Sequence, residues 1–470
     1  MTENSAEKVI YKGDNPLGFE PIGKLLMKFA LPSVTSMVVN AIYNIVDQIF
    51  IGQGVGYLGN AATTIAFPIV TIMLALSTLI GAGGSAYASI KLGEHDEKQA
   101  ERVLGNAFTL SVAIGMLIMC VGLLFMEPLV KLFGATDNTI SYAKDYTTYI
   151  LLAAPFNVLS VVLSNFARTD GSPMLSMYSM LAGAVLNIVL DPIFIFVFKL
   201  EVMGAALATA ISQVVSALIL IWYFLRRSRM KFTKDGLRLR FSVCRSIATL
   251  GVSSCVLNVA NTFLNIILNN MLVTYGDMSD VGGDVALSAM GVVLKISMII
   301  ISVCIGIGVG SQPILGFNKG AGQPDRVRKT YLIAVSSGFA VTILGWIMCQ
   351  TIPHIVLQLF EKGDRNFMDF AIRCMRIYMG GVFVAGIQIV TTNYFQATGQ
   401  PVKAAFISLL RQVILLIPLL IILPQFFGLD GILYAGLFAD LTTGAIVSVF
   451  VISEIRKLNK IIAETRKLRA

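Results

Sequence analysis

The chain has 470 residues, of which only 13% are charged and 56% hydrophobic. Soluble domains carry roughly 25% charged residues, so the composition excludes a string of soluble domains, along with a disordered chain, a collagen-like fibre and a nucleic-acid-binding domain. What remains is a polytopic membrane protein, and the net charge of +9 then belongs to its loops, because Lys and Arg gather on the cytoplasmic side of a bilayer.

Residues 1–20 are polar and mixed in charge, with no cleavable signal pattern, so the first apolar segment must itself direct insertion. A spanning helix needs about 20 mostly apolar residues. Twelve stretches qualify, near 24–50, 60–90, 101–125, 140–167, 173–198, 202–226, 243–275, 284–316, 326–351, 367–396, 402–424 and 430–455. The basic groups sort between their connections. Residues 226–245 hold eight Lys and Arg against the single Asp235, and six more follow Glu454. Loop 276–284 is acidic and loop 52–59 uncharged. Even-numbered loops and both termini are therefore expected in the cytoplasm.

Span one contains Pro32, which cannot donate a backbone hydrogen bond and permits a kink. Further along, Asn40, Tyr43, Asn44 and Asp47 recur at i, i+3, i+4 and i+7, one face of a helix. Span five carries Asn187 and Asp191 four residues apart, followed at once by Pro192, a second candidate kink. Span six adds Thr209, Ser212, Gln213 and Ser216. A carboxylate at the bilayer centre costs about 2.5–3.5 kcal/mol on insertion scales, so Asp47 and Asp191 are functional candidates. Two such groups close together, away from water, suit exchange of a proton. The same oxygens suit a hard cation such as Na⁺. The second half differs. Span seven has an amide stripe at Asn258, Asn261, Asn265 and Asn269 with no carboxylate, span eight has Lys295 near its middle, and span ten has Gln388. Asn40, Asn44, Gln213, Asn261, Asn265, Lys295 and Gln388 are candidate cavity residues. The 20 Met and 28 Phe fit a broad apolar cavity as well as lipid-facing packing.

The halves repeat. IGAGGSAYASIKLG around Gly81 matches IGIGVGSQPILGFNKG around Gly308, NAIYNIVDQ matches NTFLNIILN, RTDGSP (168–173) matches QATGQP (396–401), and the GAALA run at 204 matches GILYA at 431. Six spans per half make the repeats parallel, an architecture that transporters use. The expected division is a polar cytoplasmic N-terminus (1–20), an N-lobe (21–226), a basic cytoplasmic linker (227–242), a C-lobe (243–455) and a basic tail (456–470). The six cysteines form no C-x-x-C pair and read as packing residues. With no Walker loop, Cys/His metal spacing or nucleophile motif, the chain reads as neither an enzyme nor its own ATPase, and no cofactor or structural metal is expected.

LPS at 31–33, NIVDQIFIG at 44–52, RTDGSP, NIVLDP at 187–192 and GFNKGAG at 316–322 resemble the multidrug and toxic compound extrusion (MATE) transporters of prokaryotic type. The resemblance runs over about residues 20–455. It implies an all-α protein of twelve transmembrane helices in two six-helix lobes, exporting small organic cations and amphipathic drugs, antibiotics included, in exchange for H⁺ or Na⁺. It implies a bacterial or archaeal plasma membrane and a monomer. The family's N-lobe cation site falls on Tyr43, Asp47, Asn187, Asp191 and Thr209, with Na⁺ possible at Asp47 and Asp191, and its bending proline on Pro32. One branch carries a Glu in span seven and an Asp in span ten. Here those positions are Asn261 and about Ala385, so a C-lobe Na⁺ site is not expected. The nearest competing function is a flippase for lipid or polysaccharide precursors, whose cavity should be richer in Arg and Lys. A passive channel is the other alternative.

Overall fold

A computed structural model describes residues 15–136, 139–358 and 365–469. The polar stretch before residue 15 lies outside the described residues. In chain order the helices are α1 (Ile22–Val55), α2 (Tyr57–Gly93), α3 (Glu97–Leu124), α4 (Met126–Leu132), α5 (Ile140–Leu152), α6 (Ala154–Thr169), α7 (Pro173–Pro192), α8 (Glu201–Arg226), α9 (Phe241–Asp277), α10 (Gly283–Gly320), α11 (Pro324–Thr351), α12 (Pro353–Gln358), α13 (Arg365–Tyr378), α14 (Ala385–Ala397), α15 (Pro401–Leu409), α16 (Ile417–Ile422), α17 (Pro424–Phe427) and α18 (Leu429–Arg469). Eleven apolar helical segments among the described residues are long enough to cross a membrane, and the α5–α6 pair makes a twelfth.

Four of the expected spans are not regular straight α-helices. The fourth bends by 49° at Ala153, where Pro155 enters the first turn of α6 without a backbone donor. The tenth tightens to a 3₁₀ turn over Met379–Val384, around the Gly380–Gly381 pair. The eleventh widens to a π turn over Leu410–Leu416. Span five has a π turn of its own at Ile193–Val197, directly after Pro192. Pro32 sits inside an unbroken α1, where Ser36 Oγ donates to the Pro32 carbonyl at 2.8 Å.

Each half packs its own apolar core. On the first half, Ile51, Ile65, Tyr146, Ile150 and Ala205 form one cluster; on the second, Leu268, Met290, Val293, Met375 and Leu433 form another. The repeat is visible in matched contacts. Gly81 abuts the Asn165 amide and Gly308 the Asn393 amide. Gly93 lies against the Phe317 carbonyl while Gly320 lies against that of Ile90, a reciprocal pair that places the pseudo-two-fold axis between α2 and α10.

The lobes meet at the end that carries the 227–240 linker. There α1 packs on α10 and α2 on α9, and Leu17, Leu25 and Phe29 join Ile307, Ile314 and Phe317 in a shared apolar seal. Close approach needs glycine. A Cβ at Gly306 would collide with the Val34 backbone, and one at Gly310 would lie 2.7 Å from Ala30 Cα. Further out on α10, nothing lies within 4 Å of a Cβ at Gly291. Gly306→Leu is expected to cost about 1–3 kcal/mol of stability by overpacking, read as a fall in Tm. Gly291→Leu, with open space beside it, should hold or raise Tm because Leu is the better helix former.

The linker is fastened to the first half. Asn106 of α3 donates to the carbonyls of Gly236 (2.8 Å) and Arg238 (3.1 Å) and accepts from the Arg240 amide at 2.7 Å. Asp170, just past α6, accepts from Tyr223, Ser228 and the amides of Arg229 and Met230. Burial pushes the Asp170 carboxyl up from its ordinary range, against the downward pull of those donors.

Candidate functional site

The five residues Tyr43, Asp47, Asn187, Asp191 and Thr209 come together inside the first half. Helix spacing explains how. Tyr43 and Asp47 are one turn apart on α1, Asn187 and Asp191 one turn apart on α7, and each pair presents a single face. α1 packs on both α7 and α8. Asp191 is fully buried and Asp47 is 8% exposed. Their carboxyl groups face each other within hydrogen-bonding range. The Asn187 amide, turned to complement its neighbours, donates to Asp191 Oδ2 at 2.9 Å and accepts from Thr209 Oγ1 at 3.1 Å. The Tyr43 hydroxyl lies near Thr209. Asp47 Oδ1 is buried with no hydrogen-bond partner.

Among the described residues no Lys or Arg pairs with either carboxylate. Two buried carboxylates in contact, without a cationic side chain, cannot both remain ionised and bare. The cluster demands a proton or a small cation, and its oxygens are the donor type a hard cation takes. Among the described residues no group of three or more His, Cys, Asp or Glu could hold a metal ion, so a cation here would rest on two carboxylates plus neutral oxygens.

Sequence reasoning missed Tyr146 of α5, a buried phenol within electrostatic range of Asp47 and Asp191. Its signal is faint, a tyrosine among other tyrosines in the fourth span. It also missed a buried ion pair in the second half, Arg411 of the π turn with Asp440 of α18. The insertion-cost rule that flagged Asp47 flags Asp440 equally.

The remaining candidates lie elsewhere. Asn44 is exposed and donates back to Asn40 Oδ1 at 3.0 Å. Gln213 is half-buried one turn from Thr209, its Oε1 unpartnered. Asn261 is half-buried and Asn265 exposed on α9, and Lys295 is exposed on α10. Gln388 is buried, donating to the Ile407 carbonyl at 3.1 Å as a brace between α14 and α15. Pro192 closes α7 immediately before its π turn.

The MatE family model matches residues 32–193 and 252–422, which is both halves of the repeat. The chain belongs to the MATE family. The multidrug export protein MepA of Staphylococcus aureus (strain MRSA252) is 30% identical over 427 residues, 89% of this chain and 91% of MepA. Among solved structures, the MATE multidrug transporter DinF-BH is 33% identical, with a TM-score of 0.84 over 92% of this chain and 95% of that one. A MATE transporter of the MOP superfamily in an outward-facing conformation superposes with a TM-score of 0.88 at 23% identity, over 96% of this chain and 99% of that one. The protein is thus an all-helical membrane protein of the MATE multidrug-efflux family with two lobes, and the flippase alternative is not favoured.

Proposed function

We propose that this MATE protein is a secondary active antiporter that exports amphipathic, often cationic, organic compounds in exchange for H⁺ or Na⁺ bound at Asp47 and Asp191. The observation that carries the reading is the buried carboxylate pair with no cationic partner among the described residues. The basic linker and tail support a cytoplasmic linker end and cytoplasmic termini, so the lobes, joined at the linker end, open outward from a bacterial or archaeal plasma membrane. The segment 227–242 divides the N-lobe (21–226) from the C-lobe (243–455). The protein works as a monomer, without cofactor, as a transporter and not an enzyme.

α1 couples ion to substrate. One of its faces carries Tyr43 and Asp47 into the N-lobe; another packs at Val34 against α10 of the other lobe. Neutralising the carboxylate pair from outside removes its repulsion and lets α1 repack around Pro32, where the helix lacks one backbone hydrogen bond. The N-lobe wall then narrows and expels the compound, and release of the ion toward the cytoplasm resets the site.

Ethidium efflux from liposomes of purified protein tests this. A pH gradient and a Na⁺ gradient are imposed separately. Efflux under the pH gradient is expected of a proton antiporter; efflux under Na⁺ alone keeps the site and changes the ion. Efflux equal with and without either gradient would identify a passive channel and overturn the reading.

A further inference from the structure

In mid-span the α10 face turned toward the N-lobe carries one charge, the ammonium of Lys295; the exposed Asp284 lies eleven residues farther out on that face. The face of α10 that meets the N-lobe is marked by Gly306 on Val34 and Gly310 on Ala30. Lys295 lies eleven residues before Gly306, three helical turns to within about 20°, so it sits on the same face. Stepping outward along the antiparallel α1 and α10 from those two contacts brings Lys295 into register with Ile45. Lys295 is exposed, as is Met298 beside it. By the same rule the α9 stripe that begins at Asn258, whose Nδ2 reaches Thr78 of α2 at 3.1 Å, continues outward to Asn265 and Asn269, both exposed.

Between Asp284 and Gly320 α10 carries no further carboxylate, and α9 carries none before Asp277. Among the described residues Lys295 has no ion-pair partner. The carboxylates in the middle of the spans, Asp47, Asp191 and Asp440, are all buried within their lobes. An ammonium flanked by neutral amides and thioethers repels a lipophilic cation and offers a charge-assisted hydrogen bond to an anion.

We infer that Lys295 is an anion-recognition point in the cleft, and that the preferred substrates are amphipathic compounds bearing a carboxylate, zwitterions above all, with the apolar body against Met298 and the carboxylate on Lys295. The amides of Asn265 and Asn269 line the same wall. The inference rests on the export reading for the direction of transport, while binding itself can be measured without any gradient.

The test uses two dyes of one skeleton, rhodamine B with its free carboxylate and its ethyl ester, a permanent cation. Binding to the full chain in detergent is read by fluorescence polarisation. Lys295→Gln is expected to weaken rhodamine B roughly tenfold, the loss of one charge-assisted contact, and to strengthen the ester. Lys295→Arg should keep the carboxylate preference. Equal shifts for both dyes, an unchanged ratio between them, or no binding of rhodamine B by the wild-type protein would each overturn the inference. Loss of gradient dependence in liposomes with the Lys295 effect intact would remove the antiport reading and leave the recognition site standing.

Discussion

Asp191→Asn protein in liposomes should lose ion-driven efflux, at least tenfold and down to the leak of protein-free vesicles, while its Tm stays level or rises. Asn matches Asp in volume and keeps two polar atoms, so the packing between α7 and α8 survives. What it cannot do is release and regain a proton or supply a formal charge to a cation. Asp191 is fully buried and in contact with Asp47, so removing one of the two ionisable groups also removes a destabilising element of the fold. Loss of transport joined to undiminished stability is the signature of a functional group and not of a structural one. Asp47→Asn should behave alike, and the two effects should not add, because either change leaves a lone carboxylate that has lost its partner. An Asp191→Asn protein that still exports dye against a gradient at the wild-type rate would refute the assignment.

The site was largely legible because lipid makes polar side chains conspicuous. An insertion cost of about 3 kcal/mol per carboxylate means that Asp47 and Asp191 had to be excused by function or by partners, and helical spacing alone predicted that Tyr43 and Asn187 would share their faces. The spans were legible for the same reason. Their breaks were not. The bend at Ala153 follows Pro155, yet Pro32 and Pro313 lie within continuous helices, so proline by itself does not say which helix will break. The π turns at Ile193–Val197 and Leu410–Leu416 answer to tertiary packing, which a span-by-span reading does not contain. The direction of Lys295 is an intermediate case: its charge is plain in the sequence, but its facing follows only once Gly306 is known to touch α1. Asp440 satisfied the rule that found Asp47, and only the fold supplies its partner, 29 residues away on another helix.

That buried pair carries the largest stability effect expected in the second half. Arg411 and Asp440 bond directly in mid-lobe, with side chains 15% and 2% exposed. Asp440 packs against Gly381, in the 3₁₀ turn of the tenth span. Repeat alignment sets Asp440 against the neutral Gln213, so the two lobes treat charge in opposite ways. The N-lobe buries carboxylates without a cationic partner, and the C-lobe neutralises its own carboxylate with Arg411. Breaking the pair leaves an uncompensated buried charge, which typically costs about 3–5 kcal/mol. Arg411→Met should therefore unfold at a markedly lower temperature than the wild type. Replacing both, Arg411→Met with Asp440→Leu, should recover most of that loss, since an apolar pair of similar volume avoids the desolvation of two ions. If the pair is structural, the double variant should also keep its pH- or Na⁺-driven efflux. A double variant that is stable but uncoupled would instead give the C-lobe pair a part in the transport cycle, and thermal unfolding run beside efflux on the same preparations separates the two.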